Sequence, residues 1–137
     1  MNRIARWMSV AWRYGWPGPY TVLGFWLILA PWSGQRRWFA YRGTIGIVGP
    51  GVQRLLALAP IRGGAAALTL GHTILAISES AFHETWEHEM VHVRQYERWG
   101  VLFVPAYLLS GCWQWLHGRD AYWDNPFEIE ARSQPEA

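Results

Sequence analysis

His88-Glu89-Met90-Val91-His92 forms an H-E-x-x-H motif. Residues four apart on an α-helix differ by about 40° net, so both imidazoles project from one face, about one turn apart. That separation lets two ring nitrogens meet one ion at about 2.0–2.1 Å. Glu89 is offset to the side of such an ion. It can reach a water held there and take its proton, which makes it the candidate general base. A catalytic zinc takes a third protein ligand and keeps a position for water. The extended form of the motif with a third histidine fails here, because Gln95 stands at its glycine and Arg98 at its last histidine. The third ligand must come from elsewhere. Glu128 opens an expected helix beyond the motif; Glu130 lies on a different face of it, and His117, Asp120 and Asp124 are further candidates. The expectation is one zinc per chain.

The element that must position the motif is a helix over about 80–99. Ser78 or Ser80 can cap it and Gly100 can close it. Glu79 and Glu84 near its start and Arg94 and Arg98 near its end suit the helix dipole. Short strands are expected at about 43–48 and 68–77, the first closed by the turn Gly49-Pro50-Gly51. Gln53–Ala59 reads as one or two helical turns and 62–64 as a loop. After the motif helix, residues 101–116 carry no charge and read as an apolar helix with Pro105 in its first turn. A short C-terminal helix follows, with Pro126 at its first position and Asn125 or Asp124 as its cap. The fold class is α+β: an N-terminal apolar helix, a small sheet, the motif helix, the apolar helix and the short C-terminal helix.

The chain has 137 residues, 51% of them apolar and only 16% charged, which excludes a disordered chain and fits one domain. A mean hydropathy of −0.04 argues against a polytopic membrane protein. Cys112 stands alone, so no internal disulfide forms. Charge is lopsided: residues 1–78 carry eight arginines and no acid, whereas residues 79–137 carry four arginines and all ten acids. Residues 14–35 hold no charge and are flanked by arginines and tryptophans, like an interfacial belt. Pro17, Pro19 and Pro31 leave only Tyr20–Ala30 as uninterrupted helix, shorter than the roughly 20 residues of a span. A tilted span, a re-entrant segment and a buried core helix all fit. Membrane association is expected, with a cytoplasmic chain as the alternative. No RRM, KH or zinc-finger pattern supports a nucleic-acid partner. The expected organisation is a basic, tryptophan-rich apolar segment over 1–40 as a membrane anchor, a zincin-like domain over 41–132 and a frayed tail over 133–137.

His88-Glu89-x-x-His92, followed by Glu128-Ile129-Glu130-Ala131, resembles the gluzincin class of zinc metallopeptidases in a small, minimal form. The resemblance covers roughly residues 68–132. It implies zinc held by His88, His92 and Glu128, Glu89 as general base, and a peptide or protein substrate. It also implies that Leu68–Ile77 is an edge strand that pairs with extended substrate. The family's glutamate helix usually reads E-x-E-A-D, and its aspartate orients a ligating histidine. Arg132 stands in that place, so the role is unfilled or falls to another acid. The run from His88 to Gly100, with Asn125-Pro126-Phe127-Glu128, also resembles small bacterial membrane-associated proteins. The function expected is a zinc peptidase at a bacterial membrane surface. The alternative is a non-enzymatic metal-binding or membrane-associated assembly protein on the same scaffold. A di-iron carboxylate protein is a third reading, but it needs a second E-x-x-H from another copy.

Overall fold

The computed structural model describes residues 3–29, 37–59 and 64–133. It is an α+β fold. Strands β1 (Arg37–Tyr41), β2 (Thr44–Val48), β3 (Ala67–Leu70) and β4 (Thr73–Ala76) form one sheet in the order β1-β2-β4-β3. β1 and β2 pair antiparallel, β2 and β4 parallel, and β3 and β4 antiparallel. β4 is therefore central and β3 is an edge. Helices α1 (Arg3–Gly15) and α2 (Gly18–Leu29) precede the sheet, and α3 (Pro50–Ala57) follows β2. Beyond β4 come α4 (Glu79–Trp99), a 3-10 turn (Gly100–Leu102), α5 (Phe103–Leu116) and α6 (Pro126–Ser133).

The sheet is covered on both faces. Ile47, Leu70 and Leu75 pack with Val52 and Leu56 of α3, and Leu27 of α2 joins them. Ile74 and Ala76 pack on the other face with Phe82 and Val93 of α4. β4 is buried on every side chain, as a strand between two helical layers must be. Gly46 in β2 lets α4 approach: a Cβ there would lie 2.3 Å from the Phe82 ring.

The motif helix is capped as its sequence implies. The Ser78 hydroxyl accepts from Ala81 N at 3.0 Å, and Gly100 turns the chain away at φ +55°. Asn125 caps α6: its Oδ1 accepts from Phe127 N at 3.1 Å, while its amide donates to Tyr107 O at 3.1 Å.

Three expectations need correction. Leu68–Ile77 is not one strand but a β3–β4 hairpin turned at Gly71-His72. Gly71 sits at φ +61°, and a Cβ there would meet Thr21 Oγ1 at 2.2 Å, so the turn requires glycine. A further strand, β1, precedes the one expected at 43–48. The N-terminal segment is two helices broken at Trp16-Pro17 rather than one, because proline at 17 cannot continue α1. Among the described residues no helix is long and apolar enough to cross a membrane. Residues 30–35 of the 14–35 run, most of the 62–64 loop and the tail beyond Ser133 lie outside the described residues.

Candidate metal centre

His88 and His92 sit one turn apart on α4, with their Nε2 atoms 3.1 Å from each other. α6 packs across this face and brings the Glu128 carboxylate to both. Its Oε2 lies 3.2 Å from His88 Nε2 and its Oε1 3.3 Å from His92 Nε2. These three residues form a group that could hold a metal ion. Taking one ligand atom from each residue, the three atoms lie within 4.8 Å of one another, close enough to share one ion. Glu128 Oε2 is buried with no hydrogen-bond partner, although the imidazole nitrogen is close. The two imidazoles and the carboxylate are thus gathered at one place, one from each of two turns of α4 and one from α6. The His88 side chain is 24% exposed, against 9% for His92 and 4% for Glu128, so the group opens to solvent at His88.

The shell around the group is assigned by hydrogen bonds. Gln95, fully buried, donates through Nε2 to Phe127 O at 3.0 Å and to Glu130 Oε2 at 2.8 Å. Those bonds fix its amide, so Oε1 faces His92 Nδ1 at 2.8 Å and accepts its proton. With Nδ1 carrying hydrogen, neutral His92 keeps its lone pair on Nε2, toward the group. The Tyr107 hydroxyl donates to Glu128 Oε1 at 2.7 Å. The Thr69 hydroxyl, on β3, donates to the buried Glu89 Oε2 at 2.6 Å.

Charge follows this arrangement. Burial opposes protonation of His92, but the Glu128 hydrogen bond, the charges of Glu89 and Glu128, and Gln95 outweigh it and raise its pKa to about 9. Burial works against the Glu128 carboxylate too, yet the two imidazoles and Tyr107 hold it far below the usual carboxylate range. Burial and the Glu128 charge push the phenols of Tyr107 and Tyr122 upward, so both stay neutral donors. A field that retains a proton on a buried imidazole also favours a metal cation in its place.

No protein-family model, no curated protein and no solved structure matches the chain.

The remaining candidates lie elsewhere. Glu130 bonds Gln95 and Arg98 and stays outside the group. His117 Nδ1 bonds Trp113 O, while Asp120 and Asp124 accept from backbone amides of their own turn. His72 pairs with Glu97, and His83 and Glu84 are exposed. The orienting role expected of another acid belongs to an amide, Gln95, with the acid Glu130 one step behind it. Arg132 donates to Trp123 O and stacks on the Trp123 ring instead. Sequence reasoning missed Gln95 as an orienter and did not select Tyr107. The one available signal was that Gln95 follows His92 by three residues, on the same helix face.

Proposed function

We propose that this protein is a zinc-dependent peptidase of gluzincin type, working at a membrane surface. The observation that carries the reading is the gathering of His88, His92 and Glu128, with ligand atoms within 4.8 Å of one another, on the face that opens at His88. When bound, zinc supplies a Lewis acid and brings the pKa of a water toward about 7. Gln95 holds His92, and Tyr107 holds Glu128, on the side toward the group. Thr69 occupies Glu89 Oε2, so Oε1 takes the proton of the attacking water and returns it to the leaving amine nitrogen. β3 is an edge of the sheet and carries Thr69, so a peptide adding to that edge runs past the base.

The membrane part of the reading is supported by α1, α2 and α5. Every residue of α1 is exposed, with Ile4, Trp7 and Met8 on one face and Arg3, Arg6 and Arg13 turned from it. Trp26 and Leu29 of α2 and Leu109, Trp113, Trp115 and Leu116 of α5 are exposed as well. Amphipathic helices with arginine on one face and tryptophan on the other lie in the plane of a bilayer interface, a mode that needs no span.

The test is zinc content together with cleavage of an unbiased peptide mixture. Glu89→Gln should keep zinc and lose at least about a hundredfold of the activity, and His92→Ala should lose the metal. Activity unchanged in Glu89→Gln would remove Glu89 from the mechanism. Fractionation of expressing cells reads the membrane part, and full-length chain recovered soluble without detergent would refute it. The burial of Glu89 under Thr69 favours a second reading, a metal-holding protein without turnover. A zinc-loaded wild type that cleaves nothing supports that reading.

A further inference from the structure

α4 carries a second line of side chains on the face turned from the metal centre. Trp86, Met90, Arg94 and Glu97 recur at three- and four-residue spacing, about half a turn round the helix from His88 and His92. With Arg13 of α1 and Arg42 of the β1–β2 turn they line a cleft of about 360 Å³. We propose that this cleft binds a phosphate group carried on a small organic body.

Three guanidiniums reach it from three different elements. Arg13 is fixed by its Nε–H, which donates to Glu97 Oε1 at 2.6 Å. Glu97 also takes the His72 Nε2 contact at 3.0 Å, so its charge is already shared between two donors. Arg42 is the one non-glycine residue with positive φ among the described residues, at +44°. Its guanidinium lies 5.5 Å over the Trp86 ring and 5.8 Å over the Tyr41 ring, which places it at the cleft. Arg42 and Gly43, at φ +81°, are the two central residues of the β1–β2 hairpin turn, whose geometry takes positive φ at both. Trp86 turns part of its indole to the cleft as an apolar wall.

The lining, completed by Glu87, counts three arginines against two glutamates, a formal excess of positive charge. A planar carboxylate offers two oxygens in one plane. A phosphate offers acceptors in several directions, which suits arginines arriving from three sides. The volume exceeds what a bare ion fills, and Trp86 and Met90 supply an apolar wall for the rest of the molecule. Such a group comes either from a lipid headgroup or from a soluble phosphate ester.

The experiment uses the full chain with two probes. Calorimetry with glycerol 3-phosphate reads the soluble source. Flotation with phosphatidylglycerol-containing vesicles, against phosphatidylcholine vesicles, reads the lipid source. Arg42→Gly removes one guanidinium and relieves the strained backbone, so its melting temperature should not fall. It should weaken binding at least about tenfold, the loss of one charge-assisted contact. Arg54→Ala removes an equal charge from α3 and should leave binding unchanged. Glycerol 3-phosphate bound by wild type and lost in Arg42→Gly supports a soluble ester. Selective flotation lost in Arg42→Gly, with no binding of glycerol 3-phosphate, supports a headgroup. The proposal is overturned if wild type binds neither probe, if Arg42→Gly binds as wild type does, if Arg54→Ala weakens binding equally, or if succinate binds as tightly as glycerol 3-phosphate. Zinc content is not a readout here, so the metal reading can fail without touching this one.

Discussion

Replacing Gln95 tests whether His92 is oriented for a metal or is merely packed. Gln95 makes three bonds, to His92 Nδ1, Phe127 O and Glu130 Oε2. In Gln95→Ala the Nδ1–H of His92 is left without a bond inside the core, whereas Phe127 O keeps its bond within α6. One orphaned group costs the metal-free fold about 1–3 kcal/mol. For a chain of this size that is a fall in melting temperature of about 3–10 °C. The effect on the metal is separate. Without Gln95 the His92 tautomer and ring angle are no longer set, and losing such a partner lowers metal affinity about 10–100-fold. Gln95→Glu divides the two effects. Its carboxylate still accepts from Nδ1–H, but faces Phe127 O and Glu130 Oε2 as acceptor against acceptor. It should bind zinc nearly as wild type does and still melt early. Affinity is read by competition with a chromophoric chelator near neutral pH, and stability by thermal unfolding of the chelated protein. Gln95→Ala that binds zinc within about threefold of wild type, well inside the expected range, would refute the orienting role.

If the proposed centre holds zinc, Glu128→Ala should lower zinc content far more than Glu130→Ala, because the Glu128 carboxylate stands 3.2 Å from His88 Nε2 while Glu130 reaches the group only through Gln95. The reverse order would move the third ligand. The pH dependence of stability should report the Arg13–Glu97–His72 cluster. Burial raises the Glu97 pKa, but hydrogen bonds from His72 and Arg13 and the Arg13 charge outweigh it and leave it below its usual 4.5. A depressed carboxylate stabilises the fold above that value and loses its contribution as pH falls through the folded pKa. The urea-midpoint gap between wild type and Glu97→Gln should therefore be full at neutral pH and close below 4.5. A gap that stays constant through acid would exclude the cluster as a source of stability.

What was legible in the sequence was set locally. α4 carries its own start and stop signals, Ser78 and Gly100, and the spacing of His88 and His92 on a helix leaves their relative position little freedom. Glu128 was legible because Asn125 and Pro126 announce a helix start three residues before it. The β3–β4 turn was not. β4 is buried on both faces, so the sequence alternates nowhere, and Gly71 alone marks the reversal. α1 was hidden because its arginines read as the flank of a longer apolar segment, although Ile4, Trp7, Met8 and Ala11 recur at helical spacing. The orienting amide was hidden for a different reason: its role exists only where α4 and α6 touch. The arginine at 132 looked like a gap in the glutamate helix. With Gln95 supplying the orienting acceptor from α4 itself, α6 need not carry an acid there. Glu130 then acts behind Gln95, and Arg132 ties α6 to Trp123 of the preceding turn. The acceptor for His92 Nδ1–H thus comes from position 95 on the same helix, and Arg132 is free to serve the packing of α6 against the turn before it.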